Sequence, residues 1–257
     1  MIPIERDNIG SILPLFENWN ETMIWSCLQG YMGKAWADSA ESPRSARIIV
    51  GDFCCLAGLP CPELIPSLSE NLPHYPALLI PQGPPWETCI EQTCGASVSK
   101  FQRYSIKKEP DIFDRDRLRS YVNAIPDGYR LAMIDESLYH MAWEEEWSRD
   151  LCSNFSSYQQ YQSMGIGTVA LYKGRLVSGA SSYAVYREGI EIEVDTKKEY
   201  RNRGLACACA SLLILQCMER NLYPSWDAHD LRSVSLAEKL GYHRDTAYTA
   251  YLYEPKK

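Results

Sequence analysis

The stretch Arg201-Asn202-Arg203-Gly204-Leu205-Ala206 lies between a run that reads as a strand, Gly189 to Thr196, and one that reads as a helix, Leu205 to Arg220. A basic, small-residue loop entering a helix is a cradle for an anion. The helix start offers unpaired backbone N–H groups and a partial positive charge, which together suit a phosphate or pyrophosphate. Gly204 and Ala206 let a ligand approach the backbone closely. Arg201 and Arg203, with Lys197 and Lys198 upstream, place cations where the helix dipole disfavours them by about 0.3–1 kcal/mol each. Stability alone would favour Asp or Glu there. A solvated charge run ahead of an ordinary helix is the plain alternative.

Two other phosphate-binding loops are excluded by pattern. A Walker loop needs Gly-Lys-Ser/Thr and a dinucleotide fold needs three spaced glycines, and the chain has neither. A net charge of −7 argues against broad attachment to nucleic acid or to an anionic membrane, while leaving room for a local basic site. The N-terminus, Met1-Ile-Pro-Ile-Glu-Arg-Asp, has no apolar signal core and no run is long enough to span a bilayer, so a soluble cytoplasmic protein is expected.

Ten cysteines invite a metal or disulfide reading, and their spacing supports neither. Cys54 and Cys55 are adjacent, Cys207 and Cys209 are two apart on a helix, and no Cys-x-x-Cys pair exists. They read as reduced, mostly buried small residues. His74, His140, His229 and His243 are scattered, so no metal is expected. Cys207, at a helix start beside arginines, is the one thiol whose pKa such a setting would lower, with packing as its other role.

With 257 residues the chain can hold one large domain or two modest ones. Prolines between Leu59 and Pro85 break the first half into short elements: strands at Ala46–Leu56 and Ala77–Ile80, a helix at Pro85–Cys94, a strand at Val98–Lys107 and a helix at Asp114–Val122 capped by Asp114. The turn-like Ile125-Pro126-Asp127-Gly128 marks the junction, giving an N-terminal α/β region over 1–126 and a second domain over 127–257. There the order is a strand at Tyr129–Ile134, helices at Ser137–Leu151 and Ser156–Gln162, and strands at Gly167–Tyr172, Leu176–Tyr186 and Gly189–Thr196. The loop and its helix follow, with an apolar stripe of Leu205, Cys209, Leu212, Leu213 and Cys217. Strand Tyr223–Ala228, helix Leu231–Leu240 and strand Tyr242–Tyr253 complete a mixed α/β sheet.

The loop resembles the Arg/Gln-x-x-Gly-x-Gly/Ala segment of the GNAT superfamily of acyl-CoA-dependent N-acyltransferases. Asp230-Leu-Arg-Ser through Leu-Gly-Tyr242 is similar to the superfamily's closing motif. Glu-Ile-Glu-Val-Asp-Thr, Pro-Ser-Trp-Asp-Ala and Leu-Ala-Glu-Lys-Leu-Gly-Tyr further resemble a bacterial subfamily that includes zwittermicin-resistance acetyltransferases. The likeness covers about the last half of the chain. It implies an α/β (α+β) fold with a mixed, mostly antiparallel twisted sheet flanked by helices, the N-terminal region then being an acceptor-pocket element or a degenerate GNAT-like half.

The resemblance implies a function as well: transfer of an acetyl group from acetyl-CoA to a primary amine of a small molecule, by direct attack in a ternary complex. By matched position, Val194 N–H would polarise the thioester carbonyl and Thr196 would pair with the pantetheine amide. Arg201, Asn202, Arg203, Gly204, Leu205, Ala206 and Cys207 would hold the pyrophosphate. Two positions depart from the pattern. Asp230 stands where many members have Asn, so the pantetheine contact is altered or passes to Ser233, and Ala237 stands where many have a tyrosine acid. Tyr183, Tyr186 and Tyr242 remain as geometric candidates for the acid.

Alternation puts Glu191, Glu193 and Asp195 on one strand face and Ile190, Ile192 and Val194 on the other, one face being core and the other solvent or cleft. Glu193, flanked by like charges, is the candidate base or acceptor-cation site, against a solvated acidic face. Trp143, Trp147 and Trp226 could line an acceptor cleft, with Glu144-Glu145-Glu146 attracting a cation, or could be ordinary helix packing. Readings left open are a coenzyme-A-binding regulatory module without turnover and an acyltransferase using a longer acyl-CoA. The sequence sets no oligomeric state, and a homodimer is left open.

Overall fold

The computed structural model describes residues 1–65 and 77–254. Pro66, Pro73, Pro76 and His74 therefore lie outside the described residues. The chain forms two compact units, residues 1–103 with 247–257, and residues 104–246. The junction expected at 125–128 falls inside the second unit.

The first unit contains β1 (Ile2–Ile4), α1 (Thr22–Leu28), β2 (Lys34–Ala37), β3 (Ser45–Val50), β4 (Phe53–Gly58), β5 (Ala77–Pro81), α2 (Pro84–Cys94) and the start of β6 (Val98–Ile106). Its ladder runs β1-β2-β3-β4-β5, antiparallel as far as β4 and parallel between β4 and β5. The single strand expected over Ala46–Leu56 is two, because Gly51 at φ 59° turns the chain back and pairs Val50 with Phe53. Trp36, Leu56, Leu79, Trp86 and Tyr251 pack in its core. Tyr251 arrives with the chain's last strand, whose residues Tyr251–Tyr253 pair with Ala77–Leu79.

The second unit continues with α3 (Arg115–Asn123), β7 (Tyr129–Met133), α4 (Glu136–Glu144), α5 (Glu146–Arg149), α6 (Tyr158–Met164), β8 (Gly167–Tyr172), β9 (Arg175–Tyr186), β10 (Gly189–Thr196), α7 (Leu205–Glu219), β11 (Tyr223–Ser225), β12 (Asp227–Ala228), α8 (Leu231–Leu240) and the start of β13 (Arg244–Tyr253). Its ladder is β7-β8-β9-β10-β11, again antiparallel three times and then parallel. Both units thus repeat one five-strand topology, a mixed and mostly antiparallel sheet carrying helices.

Local chemistry explains several boundaries. Asp114 caps α3 by accepting from the backbone N–H groups of Asp116 at 2.9 Å and Arg117 at 3.1 Å. The long helix expected over Ser137–Leu151 breaks at Glu145, which is extended at φ −119°, ψ 143°. Except for Arg175, β9 is buried along its whole length, so both sheet faces are covered. For that reason the expected core face and wet face of β10 do not hold at its start, where Ile190, Glu191 and Ile192 are all buried. Helix α7 is likewise buried nearly all round, well beyond the stripe read from sequence. Among the described residues no helix is long and apolar enough to cross a membrane.

Candidate functional site

The strand expected over Tyr223–Ala228 is broken at Trp226, and the break makes the site. β11 pairs with β10 only at Gly189–Glu191 against Tyr223–Ser225. A Cβ at Gly189 would collide with the Tyr223 carbonyl, so glycine permits this close start. Beyond Trp226 the chain leaves β10, and Asp227–Ala228 pair instead with Ser105 and Tyr104 of β6. β10 continues alone on that edge. Lys197 N–H bonds the Val177 carbonyl at 3.0 Å, so in this antiparallel ladder Lys197, Asp195 and Glu193 address β9. The N–H groups of Val194 and Thr196 then point to the open edge.

A cleft of about 460 Å³ fills the gap. β10 contributes Val194, Asp195 and Thr196, while the loop and the first turn of α7 contribute Tyr200, Arg201, Asn202, Gly204, Leu205, Ala206 and Cys207. Trp226, Asp230, Ser233 and Leu236 form the far wall, with Arg232 and Lys239 as further cations. The loop turns through two left-handed residues, Asn202 at φ 62° and Gly204 at φ 79°. No side chain caps α7, and its first turn carries no acid. Space over Gly204 is open, with no atom within 4 Å of a built Cβ. Uncapped N–H groups, open space and three nearby cations fit an anion of pyrophosphate kind.

The two loop arginines divide their work. Arg201 lines the cleft while its Nε donates to the Thr196 carbonyl at 2.9 Å, tying the loop to the end of β10. Arg203 is not among the lining residues. It donates to the Tyr129 hydroxyl at 3.0 Å and the Glu199 carbonyl at 3.2 Å, and lies 5.5 Å over the Tyr200 ring. Its place in the cradle is taken by Arg232 and Lys239, which sequence reasoning missed because α8 joins the loop only in three dimensions.

Thr196 is fully engaged by the protein: its N–H meets Asp195 Oδ1 at 2.6 Å and its hydroxyl meets that of Ser178 at 2.7 Å. Burial raises the Asp195 carboxyl above its usual range, with Asp150 adding to the rise against the Thr196 N–H and Arg201. Asp230 is spent as the cap of α8. Its Oδ1 accepts from Arg232 N and Ser233 N at 2.9 and 3.0 Å, and its Oδ2 accepts from the Arg232 guanidinium at 2.9 and 2.6 Å. Partial desolvation works against ionisation there, and these bonds to the charged form overcome it, holding the carboxyl below its usual range. Ser233 accepts the Trp226 indole N–H at 3.0 Å.

Glu193 is half-buried beside this cleft, opposite Ser181 of β9, but does not line it. Of the two readings of Cys207 the lowered pKa is not found: the residue is buried, and burial pushes its thiol up, outweighing Lys239, Ser211 and Arg117. The three tyrosines named as acid candidates are all buried. Tyr186 meets Ser225 Oγ at 2.9 Å and Tyr242 donates to the Pro224 carbonyl at 2.6 Å. In the acidic run, Glu145 clips the α4–α5 break to the end of β10 through Lys197 at 2.5 Å and accepts the Trp147 indole at 3.1 Å. Of the three tryptophans, Trp226 alone lines this cleft, and Trp143 lines a separate hollow.

The family model of GNAT acetyltransferases matches residues 13–251, and the chain belongs to that family. It is similar to the uncharacterized N-acetyltransferase YdfB of Bacillus subtilis (strain 168), 28% identical over 174 residues, which is 65% of this chain and 62% of that relative. The match therefore spans less than two thirds of the curated relative. A GCN5-related N-acetyltransferase-like protein from Streptococcus suis 89/1591 superposes with a TM-score of 0.92 at 45% identity, covering 96% of this chain and 99% of that one. A tandem GNAT protein from the clavulanic acid biosynthesis pathway shares the fold alone, at 12% identity and a TM-score of 0.56 over 100% and 99% of the two chains.

Proposed function

We propose that this protein is an acetyl-CoA-dependent N-acetyltransferase that acetylates a primary amine of a small molecule by direct attack in a ternary complex. The observation that carries the reading is the splay of β10 from β11 with the uncapped start of α7 at its mouth. Acetyl-CoA supplies the acetyl thioester when bound. The N–H groups of α7's first turn, with Arg201, Arg232 and Lys239 nearby, would hold its diphosphate. Val194 N–H, on the open edge, would polarise the thioester carbonyl. Glu193 is one strand position away and would keep the amine neutral, directly or through water. The acceleration would come mainly from holding amine and thioester together.

The subfamily likeness supports an amino-containing antibiotic or metabolite as acceptor. The first unit reads as a repeat without its own coenzyme cleft, because β4 and β5 pair from Phe53–Leu78 to Leu56–Pro81 and Gln82 N–H continues the contact to the Leu56 carbonyl. A coenzyme-binding module without turnover is favoured by one observation: none of Tyr183, Tyr186 and Tyr242 lines the cleft. Thermal stability with acetyl-CoA, free CoA, longer acyl-CoAs and NADPH comes first, followed by thiol release with a panel of amines. A saturable upward shift with CoA species alone, and amine-dependent thiol release, are expected. Shift without release across the panel selects the binding module, and no shift removes the coenzyme reading.

A further inference from the structure

Away from the coenzyme cleft, the second unit holds another hollow of about 460 Å³ between α4 and the start of α6. Glu136, Tyr139, His140 and Trp143 fall at i, i+3, i+4 and i+7 of α4, so they share one helix face. Tyr158, at the first position of α6, closes the other side. Tyr139 is the hinge of the aromatic group: its ring lies 5.7 Å from Tyr158 and 5.4 Å, edge-on, from His140. Its hydroxyl donates to the Phe155 carbonyl at 3.0 Å. Trp143 keeps 38% of its surface exposed.

Charge decides what such a hollow can hold. Its lining contains no Lys or Arg, and Glu136 is exposed with no ion-pair partner among the described residues. The start of α6 opens here and would ordinarily draw an anion. That attraction is already satisfied internally: Ser157 Oγ accepts Gln160 N–H at 3.2 Å, and Gln160 Oε1 accepts Ser156 N–H at 2.7 Å. What remains is a set of aromatic rings, one of them well exposed, beside a single uncompensated carboxylate. Rings and a carboxylate, with no Lys or Arg in the lining, suit an organic cation that is weakly hydrated and broad enough to cover a ring.

The geometry points to a binding site for a small alkylated ammonium ligand, its cationic head against Trp143 and Tyr158 and its charge balanced by Glu136. This inference stands apart from the acetyltransferase reading, since it uses none of the coenzyme-cleft residues. The test is calorimetric titration of the full chain with choline and tetramethylammonium, with 3,3-dimethylbutan-1-ol as the neutral isostere of choline and ammonium chloride at matched ionic strength. Saturable binding of both quaternary cations is expected, at least about tenfold weaker in Trp143→Ala and about fivefold weaker in the exposed-site variant Glu136→Gln. Binding of the neutral isostere as tight as choline would overturn the proposal. So would the absence of saturable heat with either quaternary cation, or binding unchanged in Glu136→Gln, which keeps the fold intact if Trp143→Ala does not.

Discussion

Thr196 donates its backbone N–H to the carboxylate of Asp195, the residue immediately before it, at 2.6 Å. The bond closes the open edge of β10 just where the coenzyme cleft begins, and it sits in a partly desolvated place that raises the Asp195 carboxyl. A carboxyl with a raised folded-state pKa favours folding fully below its unfolded value and loses that contribution as pH climbs through the folded value. Asparagine keeps an acceptor for Thr196 and never ionises. Asp195→Asn should therefore raise Tm by about 1–3 °C at pH 7.5, with the gain vanishing near pH 4. Melting curves across that range check it, and a lower Tm at pH 7.5 would count against this account of the site.

Gly204 begins α7 in a left-handed conformation with open space above it. Two substitutions separate its backbone role from its electrostatic one. Gly204→Ala carries only conformational strain, about 1 kcal/mol, and should leave coenzyme binding within a fewfold of the parent. Gly204→Asp carries similar strain and sets a carboxylate over the first-turn N–H groups, so it should weaken coenzyme A by about a hundredfold or more with little further loss of stability. Calorimetry on the pair decides, and equal losses in both would assign the effect to the backbone.

What could be read from the sequence was whatever lives within one element or one turn. The loop from Arg201 to Ala206 and the Asp114 cap both depend on neighbours in the chain. What escaped depends on non-local packing. Nothing near Tyr223–Ala228 announces that the strand changes partners at Trp226, because β6, its second partner, lies more than a hundred residues upstream. Lys239 and Arg232 reach the cradle only because α8 folds back beside it. The repeat of β1–β5 in β7–β11 is a likeness of ladder order and direction, so residue patterns alone left a degenerate GNAT-like half as one of two alternatives for the N-terminal region.

Asp230 shows how a local change redirects a site. As a cap with both oxygens committed, it contributes about 1 kcal/mol to α8. Its folded-state pKa is depressed, so this contribution is present above the ordinary carboxylate range and is lost as pH falls through the depressed value. Asp230→Ala should lower Tm at pH 7.5 by about 2–4 °C, with the deficit disappearing in acid. Asp230→Asn should keep most of the cap. A deficit of the same size at every pH, with no decline as acid is added, would mean the residue acts through packing.

Glu193 carries the chemical prediction. It stands on β10 next to Val194 and does not line the coenzyme cleft, so its carboxylate can serve the acceptor without helping to hold the coenzyme. Glu193→Gln should lower kcat by about a hundredfold or more and flatten the acidic limb of the pH–rate profile. The thermal shift given by acetyl-CoA should stay unchanged. Full turnover at every pH with the true acceptor would remove Glu193 from the mechanism.

The repeated topology sets a stoichiometry. In the second unit the parallel pair opens after three residues, whereas in the first unit β4 and β5 remain paired from Phe53–Leu78 to Leu56–Pro81. Gln82 then extends the seal. Its N–H bonds the Leu56 carbonyl at 3.0 Å, its Oε1 accepts Gly58 N–H at 2.9 Å and its Nε2 donates to the Leu15 carbonyl at 2.8 Å. The Trp86 indole closes over the Gly58 carbonyl at 2.9 Å. Among the described residues no edge between β4 and β5 is left for a second pantetheine arm, so coenzyme A should bind with one site per chain. Gln82→Ala keeps the backbone bond to Leu56 but removes the two side-chain bonds, to Gly58 N–H and the Leu15 carbonyl, and should cost about 1–3 kcal/mol without creating a second site. Calorimetric stoichiometry on the parent and on Gln82→Ala tests both statements, and two sites in the parent would show that the first unit opens.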